Sequence, residues 1–224
     1  MKKYLRGCLV AVVLMAGGCV PTLNTIFTSG DIAYDPALEG VWRQAETTWT
    51  LSPYDAGVGR YKLRTEMKNQ PPAEWYATLG SIGTNRFLEL LPLRPNEIHP
   101  NTFYGGHFVP LRSFWKVLLQ GDSLTLTPLS TQWLDALIKQ DKVNIQHAWT
   151  EGGLLFLTAS TQELQDFIAR YANDPGAFPS TGDAKGITFV RGGETAQPHA
   201  EPVTDELPWS PPKDWENTGT PDKK

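Results

Sequence analysis

From residue 36 onward, apolar and polar positions fall into short runs with two different periods. In 59–64, Tyr61 and Leu63 alternate with Arg60, Lys62 and Arg64, which predicts a strand with one face in water. Residues 123–127 repeat that alternation, with Leu124 and Leu126 on one face, after a Gly121-Asp122 turn. Similar β-branched and aromatic runs cover 38–49 with a continuation over 47–51, then 75–79, 86–91, 103–111 and 113–120. Turn residues separate them at 53–57, 69–73 and 80–85, and 92–101 is proline-rich. Each segment follows its predecessor closely, so the linear order reads as an up-and-down meander.

Two stretches change to the helical period. Trp133, Leu134, Leu137 and Ile138 make one apolar face over 132–140. Ser160 with Glu163 forms a capping box, followed by Leu164, Phe167, Ile168 and Tyr171 at i, i+3, i+4 and i+7. Pro175 stops that second helix. Between the helices, 143–149 and 154–158 form a hairpin across Glu151-Gly152-Gly153, and 187–191 is a last strand. The fold class expected is mainly β with two short helices, an antiparallel barrel or strongly curved sheet. Closure is favoured because an open meander of so many strands leaves unpaired edges.

The flanks differ in kind. Lys2, Lys3 and Arg6 precede an apolar run at 9–15 and the small residues Ala16-Gly17-Gly18, the layout of a secretory signal. The run is far short of the roughly 20 residues that cross a bilayer. Residues 19–35 show no apolar periodicity and read as a tether, leaving 36–192 as a single β-rich domain. Residues 194–224 hold six prolines, seven acidic and three basic residues with few aliphatics, too little apolar surface to offset ordering, so 193–224 reads as a disordered tail. Trp209 and Trp215 within it could dock on the domain or a partner.

Composition narrows the chemistry. With 40% hydrophobic and 11% aromatic residues, a core is easily built. The formal charge of −4 becomes more negative once the three basic residues of the signal are lost, and nothing forms a basic stripe; nucleic acid is not an expected partner. Of two cysteines, Cys8 lies in the signal, so Cys19 has no disulfide partner. No Gly-x-Ser-x-Gly elbow is present, and a hydrolase is the weakest of the readings considered. His99, His107 and His147 with Glu97 or Glu151 lack metal-site spacing and fall on separate elements; no metal, cofactor or catalytic residue is assigned. Gly80-x-x-Gly83 and Gly105-Gly106 read as turns rather than phosphate cradles, since neither opens a helix. Glu89, among Phe87, Leu88, Leu90 and Leu91, is expected to face solvent or pair with an arginine.

Three resemblances add to this. Met15-Ala16-Gly17-Gly18-Cys19 resembles the bacterial lipobox, with Ala16 where leucine is usual. That resemblance implies cleavage between Gly18 and Cys19, acylation of Cys19 with palmitate-like chains, and a bilayer as the partner. Val20 after the cysteine, rather than aspartate, implies an outer membrane facing the periplasm where the organism has one. Gly40-Val41-Trp42 resembles the opening motif of the lipocalins and wider calycins, in which a tryptophan closes one barrel end against an arginine from the last strand; Trp42 and Arg191 match those positions. Residues 36–178, with Trp133-Leu134 and 157–161, resemble a group of uncharacterised bacterial lipoproteins. The function expected is a membrane-anchored, non-catalytic binding protein for a small apolar ligand or an envelope protein. Its rival is a structural or assembly lipoprotein working through its surface and tail.

Overall fold

In the computed structural model, residues 19–93, 109–181 and 185–192 are described. Eight antiparallel strands close a barrel: β1 (Gly40–Gln44), β2 (Thr47–Asp55), β3 (Arg60–Met67), β4 (Ala73–Ile82), β5 (Asn85–Pro92), β6 (Ser113–Gln120), β7 (Ser123–Pro128) and β10 (Ile187–Arg191). Each pairs with its neighbour in chain order, and β10 returns to β1 with Trp42 opposite Arg191. Between β7 and β10 the chain inserts α1 (Thr131–Lys139), the two-stranded pair β8 (His147–Trp149) and β9 (Leu155–Leu157), and α2 (Thr161–Tyr171). The α2 capping box is present, Ser160 and Glu163 satisfying each other's backbone N–H groups.

Two boundaries differ from the sequence reading. The expected continuous stretch over 38–51 is a hairpin, turning at Ala45 (φ 48°) and Glu46 without glycine, proline or asparagine to mark it. β4 continues through Gly80 to Ile82, so the connection to β5 is only Gly83 and Thr84. The expected strand at 103–111 falls mostly outside the described residues, and 109–111 are not strand; Arg112 alone bridges to Thr22. The signal, with Gly18, and the tail also lie outside them.

Alternation sorts the strand residues into two cores. Facing inward are Trp42, Trp49, Leu51, Tyr61, Leu63, Leu79, Leu88, Leu124, Leu126 and Phe189, all buried. The second core lies outside the wall, where Ile82, Phe87 and Phe114 meet Leu134, Leu157, Leu164, Phe167 and Ile168 of the insert. This is why β5 is buried on both faces from Phe87 to Leu90.

The expected tether at 19–35 is instead a strap threaded into that outer core. Val20, Thr22, Ile26 and Phe27 are buried. Thr22 exchanges backbone hydrogen bonds with Arg112 at 2.9 and 2.8 Å, and Leu157 donates to Pro21 and accepts from Leu23 at 2.9 and 2.8 Å. Further on, Ala33 donates to Leu79 O and Ser81 donates to Asp31 O, using the edge of β4 beyond the start of β3. Gly80 allows this, because a Cβ there would fall 2.6 Å from the Phe27 ring and 2.8 Å from Asp31 O. The strap has no periodicity because it makes no ladder of its own.

Glu89 fixes the strap to the wall. It is 3% exposed, and its carboxylate accepts from Ile26 N at 2.8 Å, Thr25 Oγ1 at 3.0 Å and Arg112 Nη1 at 2.9 Å. Glu89→Ala would leave the buried Ile26 N–H without its acceptor and remove the carboxylate partner of Arg112, whose side chain is 28% exposed. The expected loss is about 2–4 kcal/mol in urea unfolding; a variant as stable as the wild type would show that the carboxylate is not what holds the strap.

Candidate functional site

The barrel has two unlike ends. At one, the chain closes the interior with a single 3-10 turn, Pro36–Leu38, capped by Asp35, whose carboxylate accepts from Ala37 N. The Trp42 indole N–H donates to Leu38 O at 2.8 Å, and the Arg191 guanidinium lies 4.2 Å over the Trp42 ring. Arg191 donates to Glu39 O at 2.7 Å and Ala37 O at 2.6 Å, tying the last barrel strand to the segment that enters the first. Gly40 has φ +113°, and a Cβ there would stand 3.0 Å from Arg191 Nη1. The Gly-x-Trp spacing therefore has a local cause: glycine clears the place where the arginine passes.

Around this plug, Asp35 N donates to Tyr61 Oη at 2.7 Å, and Tyr34 stacks on Tyr61 with centroids 5.0 Å apart. A hydrogen bond from Tyr34 to Glu39 pushes the Tyr34 phenol up to about 12. A surface cleft of about 340 Å³ lies beside the plug, lined by Ser29, Ile32, Tyr34 and 56–59. It lies outside the barrel and gathers no set of convergent polar groups.

The other end is the mouth, where β2, β4 and β6 begin. Trp49, Trp75 and Trp115 are each the third residue of one of these strands, and all three belong to the interior core. Trp49 stands opposite Trp42 in the β1–β2 register and packs on the Phe189 ring, with centroids 4.9 Å apart. The Trp75 N–H donates to Thr65 Oγ1 at 3.2 Å. Trp49 and Trp115 are 3% and 8% exposed, on strands diametrically opposite in the barrel, and their buried N–H groups have no acceptor among the described residues. Each such donor costs about 1–3 kcal/mol until an acceptor reaches it.

Cys19 stands at the same end. It bridges to Ser130, just after β7, and its side chain reaches the interior core beside Ser113 and Phe114 at the start of β6. Burial pushes its thiol up to about 12. The structure thus brings Trp42 and Arg191 together at the plug and places Cys19 at the opposite end.

The remaining candidates disperse. His147 Nδ1 is 2.8 Å from Ile145 O, and Glu151 sits exposed in the β8–β9 turn. His99, His107, Glu97 and Gly105-Gly106 lie outside the described residues. Among the described residues no three of His, Cys, Asp and Glu gather as a metal site. Gly80 is within a strand, and Gly83 (φ 60°) is in the turn after it. Glu89 faces away from water and does pair with an arginine. No described helix is long and apolar enough to cross a membrane.

Sequence reasoning missed the unpaired donors of Trp49 and Trp115. The alternation Thr47-Trp49-Leu51 could have turned Trp49 inward, but a missing acceptor is a property of the packed barrel. No protein-family model, curated protein or solved structure matches this chain.

The plug carries a pH-dependent contribution. The Arg86 guanidinium, 2.7 Å from Asp35, is the main cause holding the Asp35 carboxyl below its usual range. A depressed carboxyl contributes stability above its unfolded pKa of roughly 3.9, lost as pH falls through the lower folded value. Asp35→Asn should therefore cost about 0.5–1 kcal/mol at pH 7 and nothing once the pH is below both values, as thermal melts across pH would read. A cost that persists undiminished in acid would assign the effect to something other than the charge.

Proposed function

We propose that this chain is a bacterial envelope lipoprotein, acylated on Cys19 after cleavage behind Gly18, whose barrel is a non-catalytic binding site for a small apolar ligand. The pair of inward indole N–H groups on Trp49 and Trp115 carries the ligand half. A molecule with an apolar body and one or two oxygen acceptors would suit them and the aliphatic wall of Leu51, Leu63, Leu88 and Leu126. The order of basic, apolar and small residues before Cys19 supports the anchor half. Acylation with more than one chain makes such an anchor firm, and Val20 favours the periplasmic face of an outer membrane.

One observation favours the rival reading, an assembly lipoprotein that binds an envelope protein through its surface. Leu51, Leu63, Leu79, Leu88 and Leu124 are fully buried inside the barrel, and eight-stranded barrels can be filled by their own side chains.

Native mass spectrometry of the protein extracted from its own membrane separates the two. The expected result is a co-purifying small molecule that is lost when Trp49→Phe and Trp115→Phe are combined, since these keep an aromatic body and remove the donors. A bare acylated chain, or one carrying only another protein, would overturn ligand binding. For the anchor, Cys19→Ser should leave unprocessed precursor and abolish acyl labelling; normal processing of that variant would sink the lipoprotein reading.

A further inference from the structure

We propose that the mouth end of the barrel is a bilayer-seating surface, so that the domain stands on the membrane with that end down and the plug facing away. The proposal rests on acylation of Cys19 and goes beyond it, because an anchor on a flexible tether would leave the orientation free. Here the described residues that follow Cys19 are packed against the barrel and its insert. Val20 is fully buried, and Cys19 itself bridges to Ser130 at the rim. The point of attachment is therefore part of the rigid mouth, and lipid chains leaving Cys19 must start there.

The described residues near that point expose several large apolar side chains. Thr22 pairs with Leu157 in parallel, so the strap runs in the same direction as β9. Cys19 lies three residues before Thr22, and Leu154 lies three residues before Leu157. At about 3.3 Å per residue both stand some 10 Å back along adjacent lines, so the register sets Cys19 level with the tip of the β8–β9 hairpin. That tip exposes Trp149 (47%) and Leu154 (44%). Val109, shortly before the first residue of β6 at the mouth, is 64% exposed. A tryptophan and two aliphatic side chains beside an acyl anchor match the interfacial layer of a bilayer, where indole is preferred. Glu151, exposed in the hairpin turn, limits the depth to the headgroup layer, where a carboxylate keeps its water.

Seating in this manner also narrows the ligand class of the proposed barrel site to molecules arriving from the membrane, an acyl chain whose ester or carboxyl oxygens would accept from the Trp49 and Trp115 N–H groups.

The test uses the full acylated chain in vesicles of phosphatidylethanolamine and phosphatidylglycerol. Val109→Cys and Leu154→Cys report the mouth, and Val58→Cys, 47% exposed beside the plug, reports the opposite end. Each is labelled with an environment-sensitive maleimide and quenched by lipids carrying a nitroxide near the headgroup. The expected result is several-fold stronger quenching at 109 and 154 than at 58. Equal quenching at all three, or stronger quenching at 58, overturns the orientation while leaving the anchor intact. Intact mass on the same samples reads the anchor separately: a chain without added acyl mass overturns the anchor reading and the seat with it.

Discussion

A buried backbone segment that belongs to no helix or sheet must still find partners for its N–H and C=O groups, and residues 19–33 meet that demand by borrowing from four different elements. They bond to Arg112 before β6, to Leu157 of β9, to Leu79 and Ser81 of β4, and through Gln165 of α2, which donates to Ile26 O at 3.1 Å. Glu89 supplies the acceptor at the centre of the run. The strap shares the outer core with direct contacts between wall and insert, where Phe87 and Phe114 meet Phe178 with ring centroids 5.7 and 6.5 Å apart.

The inner core is organised more simply. Its side chains come from strict alternation, and its closed end depends on Arg191, which reaches across to the carbonyls of Ala37 and Glu39. A guanidinium suits this place because its planar fork can donate in several directions while its face rests on indole. Lys116 has the complementary task outside the wall, donating to Ala172 O at 2.7 Å, where the C-terminal end of α2 leaves a carbonyl unpaired. Each cation thus holds one layer against the next by bonding to backbone rather than to a carboxylate alone.

This division explains which features could be read from the chain. Tyr61 and Leu63, or Leu124 and Leu126, announce a strand because one face is wet, and Ser160 with Glu163 announces a helix because the cap is local. The turn at Ala45-Glu46 carries no such mark, so two strands merged into one. Residues 19–35 read as a tether in the sequence because the burial of the strap comes from contacts more than a hundred residues away, such as Asn24 with Ala159 across 135 positions. Glu89 looked ambiguous for the same reason: alternation placed it on the outer face, and only the insert decides that this face is dry. Of the candidate site, Trp42, Arg191 and Cys19 were visible as motifs. The unpaired indole donors of Trp49 and Trp115 were not, since a missing acceptor depends on residues far apart in the chain.

Those long separations also set an order of events. The strap is the first part of the described chain to be made, yet its partners extend to Gln165, 139 positions beyond Ile26. Such distant contacts carry a large loop-closure cost and form late. Until the insert has been made, Val20, Ile26 and Phe27 have nowhere to bury and Cys19 stays open to solvent. The residues that lead the chain are thus the last to settle, and any chemistry that requires a free Cys19 thiol has only the interval before they do.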